Sequence, residues 1–237
     1  MGKFNKDIIF KGAATALVTP FDEKGAVDYK AFAKLIDFQI AGGIDALVIC
    51  GTTGEGSTLT DEEHRECIRF SVEHIAGRVP VIAGTGSNDT DYANSLSQYA
   101  CEVGADALLL VTPYYNKATP KGLIKSFLDT AEKTDKPIIL YNVPSRTGVN
   151  ITMPVYRELA KHERIVAVKE ASGNMSQIAE IAAELSDEHG LISPSTAATT
   201  TRSYRSFLSA VSASSPFSRT SCRRKPTTSA RSSSTAT

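Results

Sequence analysis

The chain has 237 residues and a formal net charge of zero. That length can bury a sizeable core, as one large α/β domain or two small ones, and the neutral balance argues against a nucleic-acid or polyanionic partner. No apolar stretch reaches the roughly 18 residues of a membrane span and the N-terminus lacks a signal-peptide apolar region, so a cytoplasmic location and no membrane partner are expected.

In chain order, six short apolar runs predict strands, at 13–18, 46–49, 79–83, 107–111, 138–141 and 165–168. They are rich in Val, Ile, Leu and Ala with little alternation, which fits parallel strands covered on both faces. Helical segments lie between them. Asp28 opens one in which Phe32, Leu35, Ile36 and Ile40 share a side and which Gly42-Gly43 ends. Thr60-Asp61-Glu62-Glu63 reads as a capping box ahead of Cys67, Ile68 and Val72. Further helices are predicted at 90–103, 119–134, 152–161 and 174–188. Six consecutive βα units imply a parallel sheet. A doubly wound sheet remains open on periodicity, but residues with chemical potential fall at strand ends across several units, which favours a (β/α)8 barrel of which six units are legible.

Lys169 is the one cation in the sixth apolar run. At the C-terminal mouth of a buried parallel strand, low dielectric disfavours the ammonium form, and a neutral amine can attack a carbonyl to form a Schiff base. A lone lysine there more often just snorkels outward, so its company at the other strand ends decides. After the second strand comes Gly51-Thr52-Thr53-Gly54-Glu55-Gly56-Ser57. It lacks the lysine of a P-loop, and Asp89 interrupts a GxGxxG after Gly84 and Gly86, so nucleotide binding is disfavoured. The Gly-Thr-Thr-Gly turn offers backbone N–H groups and hydroxyls suited to a small carboxylate. Tyr114 and Tyr115 follow the fourth strand. Tyr141 ends the fifth, where a tyrosine can relay protons, and Arg146 lies in the next loop with a planar fork suited to a carboxylate. The cysteines (Cys50, Cys67, Cys101, Cys222) are scattered without metal-like spacing and read as core thiols.

GTTGE at 51–55, PYYN at 113–116, YNVPSRTG at 141–148 and VKEASG at 168–173 together resemble the pyruvate-dependent class I aldolase family, and within it the dihydrodipicolinate synthase branch rather than the N-acetylneuraminate lyases. The resemblance covers residues 8–191. It implies that Lys169 condenses with pyruvate and that amides near Thr52 and Thr53 hold the pyruvate carboxylate. Tyr141 would be the acid/base, linked through Thr53 to a Tyr115 from a neighbouring subunit, and Arg146 would hold the carboxylate of L-aspartate-4-semialdehyde. It further implies 4-hydroxy-tetrahydrodipicolinate as product, on the route to lysine and diaminopimelate, no metal or organic cofactor, and a homo-oligomer, dimer or tetramer. His64, Asn88 and Tyr114 match positions at which some members bind inhibitory lysine. The acidic residue expected after the GTGSN turn has no clear match, so feedback inhibition is not expected.

Past residue 191 the repeat stops. Residues 192–237 hold 23 Ser or Thr, seven Lys or Arg and no Asp or Glu, leaving 19 basic against 26 acidic residues in the first 191. Such a composition buries too little apolar surface to offset its ordering entropy. Shifted by one base, codons for Thr196–Thr201 can read Ser-Gly-Asn-Asp-Asp and those for 210–216 Gly-Gly-Val-Gly-Val-Ile-Ser, which resemble a seventh and an eighth strand. The expected organisation is therefore an incomplete barrel domain over 1–191 and a low-complexity, frameshifted tail over 192–237, with another pyruvate-dependent aldolase of the same family, or an inactive truncated or frameshifted product, as the alternative readings.

Overall fold

The computed structural model describes residues 9–188, and side chains as far as residue 185. The reading of 192–237 as a frameshifted tail lies outside the described residues. Six strands, β1 (Ala14–Ala16), β2 (Ala46–Ile49), β3 (Val81–Gly84), β4 (Ala107–Val111), β5 (Ile138–Asn142) and β6 (Ile165–Glu170), alternate with helices α1 (Tyr29–Ala41), α2 (Asp61–Ile75), α3 (Thr90–Glu102), α4 (Pro120–Lys133), the short α5 (Pro144–Thr147), α6 (Met153–Leu159) and α7 (Met175–Glu188). All neighbours pair in parallel and in sequence order, β1 to β6. A doubly wound sheet reverses its strand order at a switch point. This one never does, and it curls into the first six units of a TIM-type barrel.

The local signals act as physics requires. The Asp28 side chain accepts from the Ala31 amide at 2.9 Å and starts α1, and Gly43, at φ 81°, follows its end. Thr60 and Glu63 form a reciprocal capping box on α2, while Asp89 and Thr119 cap α3 and α4. These side chains satisfy amides that a helix start leaves without partners. The first strand is shorter than the apolar run predicted. Pairing ends at Ala16, although the Leu17 amide still donates to the Val48 carbonyl at 3.0 Å.

Two apolar layers flank the sheet. Phe32, Ile36, Ile68, Leu96, Phe127 and Tyr156 from the helices pack on Leu47, Ile49, Leu108, Leu110, Leu140 and Val168 from the outer face. On the inner face, Val48, Ile82, Leu109, Ile139, Tyr141, Val166 and Ala167 fill the barrel interior. Both faces being apolar explains the missing alternation in the sequence.

Candidate active site

Where the inner layer ends, at the C-terminal mouth, it becomes polar. Tyr141 of β5 and Lys169 of β6 are register partners, and Lys169 Nζ lies 4.2 Å from the centre of the Tyr141 ring. A register irregularity brings Lys169 there. Ile138 faces Ile165, but Ile139 faces Ala167, so β6 bulges at Val166. Ile165 and Val168 join the outer core, whereas Val166 and Ala167 both join the inner one. Strict alternation from Ile165 would have turned Lys169 toward the helices. The extra residue re-aims it inward, as bulges commonly do beside functional sites. Lys169 is only 6% exposed. Burial, and secondarily the charge of Arg146, holds its amine below the ordinary lysine range, which raises the neutral fraction at physiological pH.

The Gly-Thr-Thr-Gly segment forms a 3₁₀ turn over Thr52–Gly54. Amides of Gly54 and Gly56 bond back to the Gly51 carbonyl and that of Glu55 to Thr52, so the amides of Thr52 and Thr53 stand at the turn's N-terminal end, ahead of its internal bonds. Thr19 Oγ1 donates to the Gly54 carbonyl at 2.6 Å and pins the turn to the end of β1. Beneath it, Cys50 adopts a left-handed φ of 54°. Its carbonyl is packed so closely that a Cβ on Gly56 or Gly84 would lie 2.2 or 2.5 Å from it, which only glycine tolerates.

A cavity of about 260 Å³ opens here, lined among others by Thr52, Ser57, Tyr114, Tyr141, Val143 and Arg146. Arg146 sits on α5, a single turn begun by Pro144 and ended by Gly148 at φ 70°. The structure therefore brings Thr52, Tyr141 and Arg146 to one cavity, with Lys169 against the Tyr141 ring. Thr53 shares the turn but is exposed and is not part of that lining. Tyr115 stands apart, 90% exposed and with φ 72°. That conformation is rare for an aromatic residue and marks a constrained loop.

His64, Asn88 and Tyr114 meet at a second cavity of about 240 Å³, together with Asp61 and Tyr92. Burial lowers the His64 pKa, and its Nε2 lies 2.9 Å from the Gly84 carbonyl. Among the described residues no three His, Cys, Asp or Glu side chains are grouped as a metal site would need.

One set of residues went unread in the sequence. Glu170 ends β6 as a hydrogen-bonded hub with Asn142, Tyr156 and Gln177. Glu170 reads as the start of a loop because it follows the apolar run. Tyr156 and Gln177 read only as helix residues. Nothing local signals that they converge.

The Dihydrodipicolinate synthetase family profile matches residues 9–223. The chain belongs to this family. It is 59% identical over 175 residues to the 4-hydroxy-tetrahydrodipicolinate synthase of Lachnoclostridium phytofermentans, covering 73% of this chain and 60% of that protein. With the enzyme of the same name from Thermoanaerobacter sp. strain X514 it shares 55% over 175 residues, 73% of this chain and 59% of the other. Among solved structures it resembles dihydrodipicolinate synthase from Aquifex aeolicus, with a TM-score of 0.74 and 50% identity over 78% of this chain and 63% of that one. A monomeric dihydrodipicolinate synthase variant matches with a TM-score of 0.75 at 35% identity over 78% and 62%. This dihydrodipicolinate synthetase family chain thus spans about 60% of the length of the curated relatives it matches. The family profile runs past residue 191, where the legible strand–helix repeat ends.

Proposed function

We propose that the chain carries the chemistry of a 4-hydroxy-tetrahydrodipicolinate synthase, a lyase that condenses pyruvate with L-aspartate-4-semialdehyde in lysine and diaminopimelate biosynthesis. The observation that carries this reading is Lys169: a buried amine with a lowered pKa, held 4.2 Å from the Tyr141 ring at the mouth of a parallel barrel. Neutral Lys169 attacks the pyruvate ketone, the carbinolamine loses water, and an imine forms. Loss of a methyl proton gives the enamine, which adds to the semialdehyde. Transimination by the substrate's amine closes the ring and frees Lys169.

Tyr141 is suited to shuttle protons, because its ring borders both the amine and the cavity. The carboxylate of pyruvate fits the free end of the Thr52–Gly54 turn, where backbone N–H groups favour an anion. Arg146, lining the same cavity, suits the second carboxylate. It is also what favours this reading over another pyruvate aldolase of the family. Thr53 and Tyr115 would complete the proton path, Tyr115 from a second copy of the chain. Its 90% exposure leaves the ring available to a neighbour, and a homotetramer in the cytoplasm is the expected form. Two solved relatives are described as complexes with pyruvate, one a dihydrodipicolinate synthase from Acinetobacter baumannii.

Borohydride added with pyruvate should place a reduced pyruvyl group on the peptide containing Lys169, as an intact-mass increase mapped by digestion. Lys169→Arg should abolish the label, since a guanidinium is no practical nucleophile. Labelling of a different lysine in active protein overturns the assignment.

A further inference from the structure

Glu170 follows Lys169 on β6, so its side chain leaves the strand on the opposite side. Its carboxylate gathers donors from four segments. Asn142 Nδ2 on β5 lies 2.9 and 3.0 Å from its two oxygens, and the Tyr156 hydroxyl of α6 is 2.8 Å away. Gln177 Nε2 of α7 donates at 3.1 Å and the Ser172 amide at 2.9 Å. The web continues beyond the carboxylate. Asn142 Nδ2 also donates to Asn150 Oδ1 at 2.7 Å, and Asn142 Oδ1 accepts from the Ile151 amide at 3.0 Å. Asn150 and Gln177 bond to each other at 2.9 Å. The chain between Asn142 and Asn150 is the one that carries Arg146.

We infer that Glu170 is a positioning residue: its carboxylate joins the ends of β5 and β6 and the 143–151 segment into one unit, which keeps the Lys169 amine dry above the Tyr141 ring and Arg146 at the same mouth. A carboxylate suits this place because it only accepts, and every group around it donates. Two groups facing Lys169 are the Tyr141 ring from β5 and the charge of Arg146 from α5. The titratable group bonded to Glu170 is Tyr156, kept protonated by burial and by Glu170 itself. The catalytic meaning of the inference rests on the Schiff-base reading, whereas the placement of Lys169 does not.

Glu170→Gln conserves volume but turns an amide NH2 toward surrounding donors, so at least one bond must open. Loosening the β6 end admits water to Lys169 and moves its pKa up toward the ordinary lysine value. Two measurements on the full chain test this. Competitive acetylation with acetic anhydride across pH, read on the Lys169 peptide, needs no substrate. Its midpoint should lie below that of surface lysines, rise in Glu170→Gln, and rise less in Tyr156→Phe, which deletes one donor. Pyruvate–borohydride trapping should slow about ten- to a hundredfold near neutral pH, about tenfold for each unit by which the midpoint rises, and recover as the pH is raised. A merely unfolded fraction gives no alkaline recovery. An unchanged midpoint in folded Glu170→Gln overturns the inference. So does an unchanged midpoint in Tyr156→Phe if Glu170→Gln fails to fold. A shifted midpoint in a chain that never traps pyruvate supports Glu170's role and sinks the Schiff-base reading instead.

Discussion

Two cations share one barrel mouth, and burial sets them apart. Lys169 is buried and short of water, so its ammonium form is disfavoured. Arg146 is exposed on a Pro/Gly-bounded turn, where its planar fork can meet a carboxylate. Arg146→Ala should therefore spare pyruvate trapping and impair use of the semialdehyde. A lost charge-assisted pair costs roughly 1.5–3 kcal/mol, about ten- to a hundredfold or more in that step. The trapping midpoint should also rise slightly, because Arg146 is the lesser of the two causes that lower the Lys169 pKa. Equal loss in trapping and in semialdehyde turnover means that Arg146 is structural. At this scale the sequence placed residues rather than roles: Lys169, Tyr141, Thr52 and Arg146 could be read to the C-terminal strand ends, because each follows or interrupts an apolar run. Glu170 was not. Its hydrogen-bond donors come from β5, α6 and α7, 7 to 28 positions away.

Among the elements, the turn after β2 and the bulge in β6 shape the site most. The turn depends on glycines that let the Cys50 carbonyl approach closely. Gly84→Ala would set a methyl 2.5 Å from that carbonyl oxygen and 2.9 Å from the Gly51 amide. Both atoms belong to the Cys50–Gly51 peptide, and backbone cannot yield as a side-chain tip can. Destabilisation of about 1–3 kcal/mol is expected from such overpacking, measured as a fall in melting temperature, together with weaker pyruvate saturation, because the displaced atoms lead into Thr52. Unchanged melting and unchanged saturation by pyruvate contradict the close packing described. The bulge was invisible in advance. Ile165-Val166-Ala167-Val168 is apolar throughout, and a strand covered on both faces carries no phase by which to tell inward from outward.

For the whole molecule, we propose that function depends on barrel closure. Full closure leaves a parallel barrel without edges, whereas β1 and β6 are the end strands of the described sheet. The composition of 192–237 offers few apolar runs to pair with them. The chain as it stands should be less soluble and turn over more slowly than a version with the alternative reading frame restored after about residue 191. Expressing both, and comparing soluble yield, oligomer mass and semialdehyde-dependent turnover, tests this. Equal rates in the two forms refute both the frameshift reading and the need for closure.

By itself, the sequence determined the repeat of strand and helix, the caps, the parallel sheet and most residues at its mouth, because those follow from short-range periodicity, local hydrogen bonding and breaks in an apolar run. Only the tertiary structure decided the rest: the bulge that turns Lys169 inward, the separation of Tyr115 from the cavity, and the convergence of four segments on Glu170. Those depend on register between strands and on distances across the fold, and neither leaves a mark on neighbouring residues along the chain.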